Sequence, residues 1–169
     1  GYQALSAANG SEGRNTAIGS YALLLYDNDG NGFNTAVGYG ASSNLTTGDK
    51  NTSMGSSALV ALTTGTENIA IGAYALDGAD GAESHNIAIG YDALGNLNHD
   101  SAARNIGIGN YAGDGMGTVG ASVDNIFLGV HAGGGTWETA ISNYNVAIGN
   151  YSMDAAMNGA GSNTAVGYG

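Results

Sequence analysis

Cysteine and proline are both absent from the 169 residues, and only Arg14, Lys50 and Arg104 carry a permanent positive side-chain charge. Without cysteine there is no disulfide framework and no thiolate metal site. Fourteen acidic residues stand against the three cations, for a net charge of −11. Such a surface repels phosphate backbones and anionic headgroups, so neither nucleic acid nor bare membrane is an expected partner. No apolar run approaches the roughly 20 residues of a membrane span, so no direct membrane insertion of this segment is expected. The opening residues carry no signal-peptide pattern. Aromatic residues are few: Trp137, two phenylalanines and ten tyrosines.

What the chain has instead is glycine, 31 residues of it, and a 43% hydrophobic content made mainly of Ala, Ile, Val and Leu. The glycines show no collagen period, and the apolar fraction is too high for a disordered linker. Small and medium aliphatic side chains cannot fill a thick globular interior at close-packed density, but they suit a thin, repetitive core.

The repeat is explicit. A motif of Asn, any residue, a small residue, an aliphatic residue and Gly recurs at Asn15, Asn34, Asn51, Asn68, Asn86, Asn105, Asn125, Asn145 and Asn163, at intervals of 17 to 20 residues. Most copies continue to an Ala seven residues after the Asn, often followed by Leu, and Gly1 to Leu5 reads as a truncated tenth copy. Side chains alternate across each motif as a strand requires. The third position after Asn is always apolar, from Ile18 to Val166, which predicts a buried face. The second is nearly always small, Phe127 excepted, which predicts an outer face that another backbone can approach closely. A second short strand is expected around the Ala. The fold expected is all-β: a parallel β-roll or β-helix solenoid of about nine or ten coils forming a single unit over residues 1–169, with coils roughly 4.8 Å apart. The Asn column suits left-handed turn geometry and bonds to adjacent coils, and the motif Gly suits a turn. Both ends fall in mid-pattern, which reads as a segment of a longer fibre protein.

Asn68-Ile69-Ala70-Ile71-Gly72-Ala73-Tyr74-Ala75 and Asn145-Val146-Ala147-Ile148-Gly149 resemble the head repeats of trimeric autotransporter adhesins. The Asn-Thr-Ala-Val-Gly-Tyr runs at Asn34–Tyr39 and Asn163–Tyr168 are similar to repeats of bacteriophage tail fibres. The resemblance spans almost the whole chain. It implies a left-handed roll, three copies around a common axis, an extracellular place on a cell surface or virion tail, and attachment to a glycan or protein receptor. Adhesin head coils are shorter than those here, so the extra loop residues either form binding surfaces or decorate the roll.

Candidate chemistry is sparse. Asp27-Asn28-Asp29-Gly30-Asn31-Gly32-Phe33 reads as the first half of a calcium loop, with Asp27, Asp29 and Asn31 as ligands, but Gly38 stands where the closing bidentate Glu belongs, and a plain turn accounts for the same residues. Calcium is the one cofactor to consider. The acids Asp49, Glu67, Asp77, Asp80, Glu83, Asp100, Asp114 and Glu138 fall between motifs without shared register, which suits solvated loop charge better than a glycosidase pair. His85, His99 and His131 have no metal-ligand spacing. His131 takes the place of Tyr21, Tyr74 and Tyr111 and is expected to continue an aromatic column, which either stacks sugars or lies half buried on the roll or at a subunit seam. Trp137, within a Gly-rich insertion, is placed as if presented to a ligand. Six-residue aliphatic spacing is missing, which excludes a hexapeptide acyltransferase, and the first motif position is too seldom Thr for an ice-binding face. The expected function is a non-enzymatic structural and adhesive fibre; a polysaccharide-degrading tailspike-like solenoid and a structural spacer are the alternatives.

Overall fold

The computed structural model describes residues 1–8, 13–29, 32–117, 120–137, 141–155 and 159–169. Nine three-residue strands form one parallel sheet: β1 (Thr16–Ile18), β2 (Thr35–Val37), β3 (Thr52–Met54), β4 (Ile69–Ile71), β5 (Ile87–Ile89), β6 (Ile106–Ile108), β7 (Ile126–Leu128), β8 (Val146–Ile148) and β9 (Thr164–Val166). Each strand pairs with the next in sequence, in a register that places motif on motif: Ile69 on Ile87, Ala70 on Ala88, Ile71 on Ile89. The chain is therefore an all-β solenoid of about eight turns between its first and last strands. Three residues are too short to hold as an isolated strand, so stability comes from stacking each coil on its neighbours.

The two faces of the sheet are the reverse of the sequence expectation. The small second-position residues point inward: Ala36, Ser53, Ala70, Ala88, Phe127 and Ala147 are fully buried. The aliphatic third position points out, with Ile18 59%, Met54 42% and Ile71 37% exposed. The reason is volume. Each coil sends other large side chains inward from its turn and loop, notably Leu23, Leu59, Leu76 and Leu94, eight residues after their Asn, and Tyr26, Leu45, Leu62, Leu97 and Met116, eleven after. Across a coil so thin, these leave room for only an Ala or Ser on the strand. The side chain that breaks the rule is accommodated by deletions opposite it: Phe127 sits where Gly113 and Gly133 replace the usual Leu, and a Cβ on either glycine would strike its ring.

The second strand expected around the Ala is a turn instead. The residues six and eight after Asn, such as Tyr74 and Leu76, take positive φ and cannot continue a strand. They still form a ladder, in which the Leu76 amide donates to the Ala93 carbonyl of the next coil at 2.9 Å and the Leu94 amide to Ala112 at 2.9 Å. No β-branched residue occupies either column, as the crowding of that backbone region requires. The motif glycines, for example Gly72 at φ +133°, are a turn requirement as expected, and a Cβ there would collide with the backbone of the glycine in the next coil.

Candidate functional surface

The Asn column is a buried structural ladder. The Asn86 amide donates to Asn68 Oδ1 at 3.0 Å, the Asn105 amide to Asn86 Oδ1 at 3.0 Å, and the pattern runs from Asn15 and Asn34 through Asn51, Asn125 and Asn145 to Asn163. Each interior Nδ2 also reaches the carbonyl three residues before the next Asn, as Asn68 does to Glu83 at 2.8 Å and Asn105 to Ser122 at 2.8 Å. One side chain thereby closes its own coil and ties it to the next. The left-handed geometry assigned to Asn falls one residue earlier: Arg14, Phe33, Lys50, Glu67, His85, Arg104, Asp124, Tyr144 and Ser162 all have positive φ.

That preceding column collects every Lys and Arg of the chain. The Arg14 guanidinium lies 5.3 Å from the Phe33 ring centroid. Lys50 Nζ donates to Glu67 Oε1 at 2.8 Å, with His85 Nε2 3.2 Å from the other oxygen. Arg104 binds Asp124 through two parallel bonds of 2.6 and 2.8 Å, which hold that carboxyl below its usual range. Each cation thus links successive coils along the solenoid axis. Residue types in this column differ from coil to coil, so no sequence pattern marks it.

Beside it runs the outward face of the sheet, two columns wide, Thr, Ile or Val at the first position and Ile, Val, Met or Leu at the third. Beyond the motif Gly an aromatic ladder follows the stack. Tyr2, Tyr21 and Tyr39 meet edge to face at 5.5 and 5.6 Å. After a gap at Ser56-Ser57 the ladder resumes through Tyr74, Tyr91, Tyr111, His131, Tyr151 and Tyr168. His131 continues the column as expected, sandwiched nearly parallel between Tyr111 at 4.8 Å and Tyr151 at 5.5 Å. Tyr2, Tyr39, Tyr91 and Tyr168 sit one residue nearer their Gly than the others and still join, so the ladder is longer than residue counting predicts. Carboxylates flank it. Burial and the neighbouring Asp92 push Asp77 up to about 6; burial pushes Asp114 up to about 6 against the opposing pull of His131.

Of the remaining site residues, Asp27 and Asp29 border an open recess with Asn28 and Thr47, and Asn31 lies outside the described residues, as does Glu138. Asn28 donates to Asp49 Oδ1 at 3.1 Å, and the buried Tyr26 hydroxyl donates to the same oxygen at 3.0 Å. Burial, aided by that carboxylate, raises the Tyr26 phenol to about 12. Trp137 is not presented to a ligand: it is 2% exposed and packs edge to face on Phe127 at 5.2 Å. It supplies the inward bulk that Leu or Met provides in other coils, while the glycines before it bring the chain close. Nor are all the loop acids solvated, since Glu83 is fully buried.

These features define a β-solenoid repeat protein with a ladder-bonded interior, an aliphatic sheet face and an aromatic edge. Comparison with known proteins finds no matching family, curated protein or solved structure.

Proposed function

We propose that the chain is a segment of an extracellular adhesive fibre, assembled from three copies and serving attachment to a glycan or protein receptor. The observation that carries this reading is the outward sheet face, where Ile18, Met54, Ile71, Ile108, Ile148 and Val166 remain exposed in register along the stack. A contiguous apolar strip of that length marks an interaction surface. Three strips facing a common axis would cover one another, which agrees with the trimer implied by the resemblance to autotransporter heads and tail fibres. The Tyr ladder lies on the same structure with Tyr39, Tyr74, Tyr91, Tyr151 and Tyr168 exposed, and aromatic faces of this kind can stack on sugar rings.

Sedimentation equilibrium of the folded segment tests the assembly, with three chains expected and a stable monomer at micromolar concentration counting against it. A glycan array tests attachment. Binding lost on Tyr74→Ala and Tyr91→Ala supports the adhesive reading; shortening of a polysaccharide would replace it with the depolymerising alternative, and neither outcome would leave a spacer.

A further inference from the structure

We propose that Asp80, Glu83 and Asp100 form a calcium site that clips the loop after β4 to the loop after β5. One carboxylate oxygen from each of the three lies within 4.8 Å of the others. That span is what a cation with oxygen bonds of about 2.4 Å bridges. Asp80 and Asp100 are exposed at the rim, and Glu83 forms the floor.

Glu83 points to a ligand rather than to an acidic surface patch. Its side chain is fully buried, with Oε2 accepting the Gly81 amide at 3.0 Å and Oε1 buried without a hydrogen-bond partner. A buried carboxylate oxygen with nothing to bond is costly, and two further carboxylates beside it raise the cost. No Lys or Arg relieves it, because Arg14, Lys50 and Arg104 are the only ones in the chain and each is engaged at Phe33, Glu67 or Asp124. A divalent cation supplies both the missing charge and the missing partner.

The backbone is shaped around the cluster. A Cβ on Gly81 would collide with Asp100 Oδ1, so only glycine lets that carboxylate lie across the loop; the same oxygen accepts the Ala82 amide at 3.3 Å. The Asn68 side chain fixes the Glu83 carbonyl, and Thr63 Oγ1 donates to the Asp80 carbonyl at 3.1 Å, so neighbouring residues anchor both ligands. Asn98 Nδ2 stands 3.4 Å from Asp80 Oδ2, and turning that amide over would offer its oxygen as a fourth protein ligand. An all-oxygen set with hard carboxylates selects calcium or magnesium over softer metals. Three or four protein oxygens, completed by water to six to eight, suit calcium at the weak, roughly 10⁻⁴ to 10⁻³ M end of its range. The clip is independent of the attachment reading, since a spacer or an enzyme on this scaffold would use it equally.

The test is thermal unfolding in EDTA and in about 10 mM calcium chloride at matched ionic strength, where the wild-type chain should gain about 4 °C. Glu83→Gln should lose the gain and, relieved of one buried charge, match or exceed the wild type in EDTA. Asp100→Asn changes an exposed side chain, keeps the fold if Glu83→Gln does not, and should also lose the gain. Asp27→Ala with Asp29→Ala should retain it. An unshifted wild type, or a full calcium response in Asp100→Asn, overturns the proposal. So does a response removed only by the Asp27 and Asp29 changes, which would move the metal to that loop.

Discussion

The ring of Phe127 lies in the space that a side chain on Gly133, six residues further along the same coil, would occupy. The two residues are one exchange of volume between strand and turn. Gly133→Leu alone should destabilise the chain by about 1–3 kcal/mol through overpacking, and Phe127→Ala alone by about 3–5 kcal/mol through the cavity it leaves. Combined, they recreate the pairing of Ala70 with Leu76, so the double variant should recover at least about 1 kcal/mol relative to the sum. Denaturant melts of the four proteins check this, and strict additivity would refute the exchange.

Inversion of the sheet faces separates folding from the proposed assembly. Ala70→Asp places a charge in the interior and should unfold its coil, whereas Ile71→Asp places one on the outer face and should leave the monomer's circular dichroism intact while lowering the sedimenting mass. Equal loss of structure in both variants would mean that the faces are misassigned.

Along the Asn ladder, cost should follow burial. Asn68→Ala strands the Glu83 carbonyl and the Asn86 amide, both inside the stack, and should cost about 2–4 kcal/mol. Asn163→Ala, at an exposed end, should cost under about 1 kcal/mol. Chemical denaturation measures both, and comparable losses would argue against the ladder as a buried element.

Asp77 and Asp114, each raised to about 6, make stability depend on pH with a definite sign. Between about pH 4 and pH 6 the folded chain holds protons that the unfolded chain has released, so their contribution to stability falls as pH rises through this window and is flat above it. Asp77→Asn and Asp114→Asn should therefore stabilise the chain at pH 7, by about 1 kcal/mol each once solvent screening of these half-buried groups is allowed for. Melting temperatures at pH 4.5 and pH 7 decide it. Unchanged pH slopes in the variants would assign the dependence to other groups.

Much of the architecture is legible before any coordinates. The recurring Asn, the Gly four residues later and the strict period-two alternation between them are local requirements, and they specify parallel stacking in register, the turn and the aromatic column that takes in His131. The Asp80, Glu83 and Asp100 cluster was not legible. Its members come from loops of unlike sequence, and a whole coil separates Asp100 from the other two, so no spacing rule joins them. The cation column before each Asn was hidden for a related reason: a shared position recurs there without a shared residue type.

Alternation shows that the two faces of a strand differ, and it does so from Ala70 and Ile71 alone; it cannot show which face is inside. That was decided by Leu76 and Ala79 in the same coil and by their counterparts in its neighbours, whose inward direction depends on positive-φ turns and loop paths that only the closed coil reveals. Once those side chains occupy the thin interior, Ala70 fits and Ile71 does not. The same competition for volume took Trp137 inside, although its Gly-rich surroundings resemble a surface loop. Local sequence determined the register and the turn at the motif Gly, because these depend on neighbours along the chain; tertiary structure decided inside from outside, because that depends on how much volume the rest of the coil has already filled.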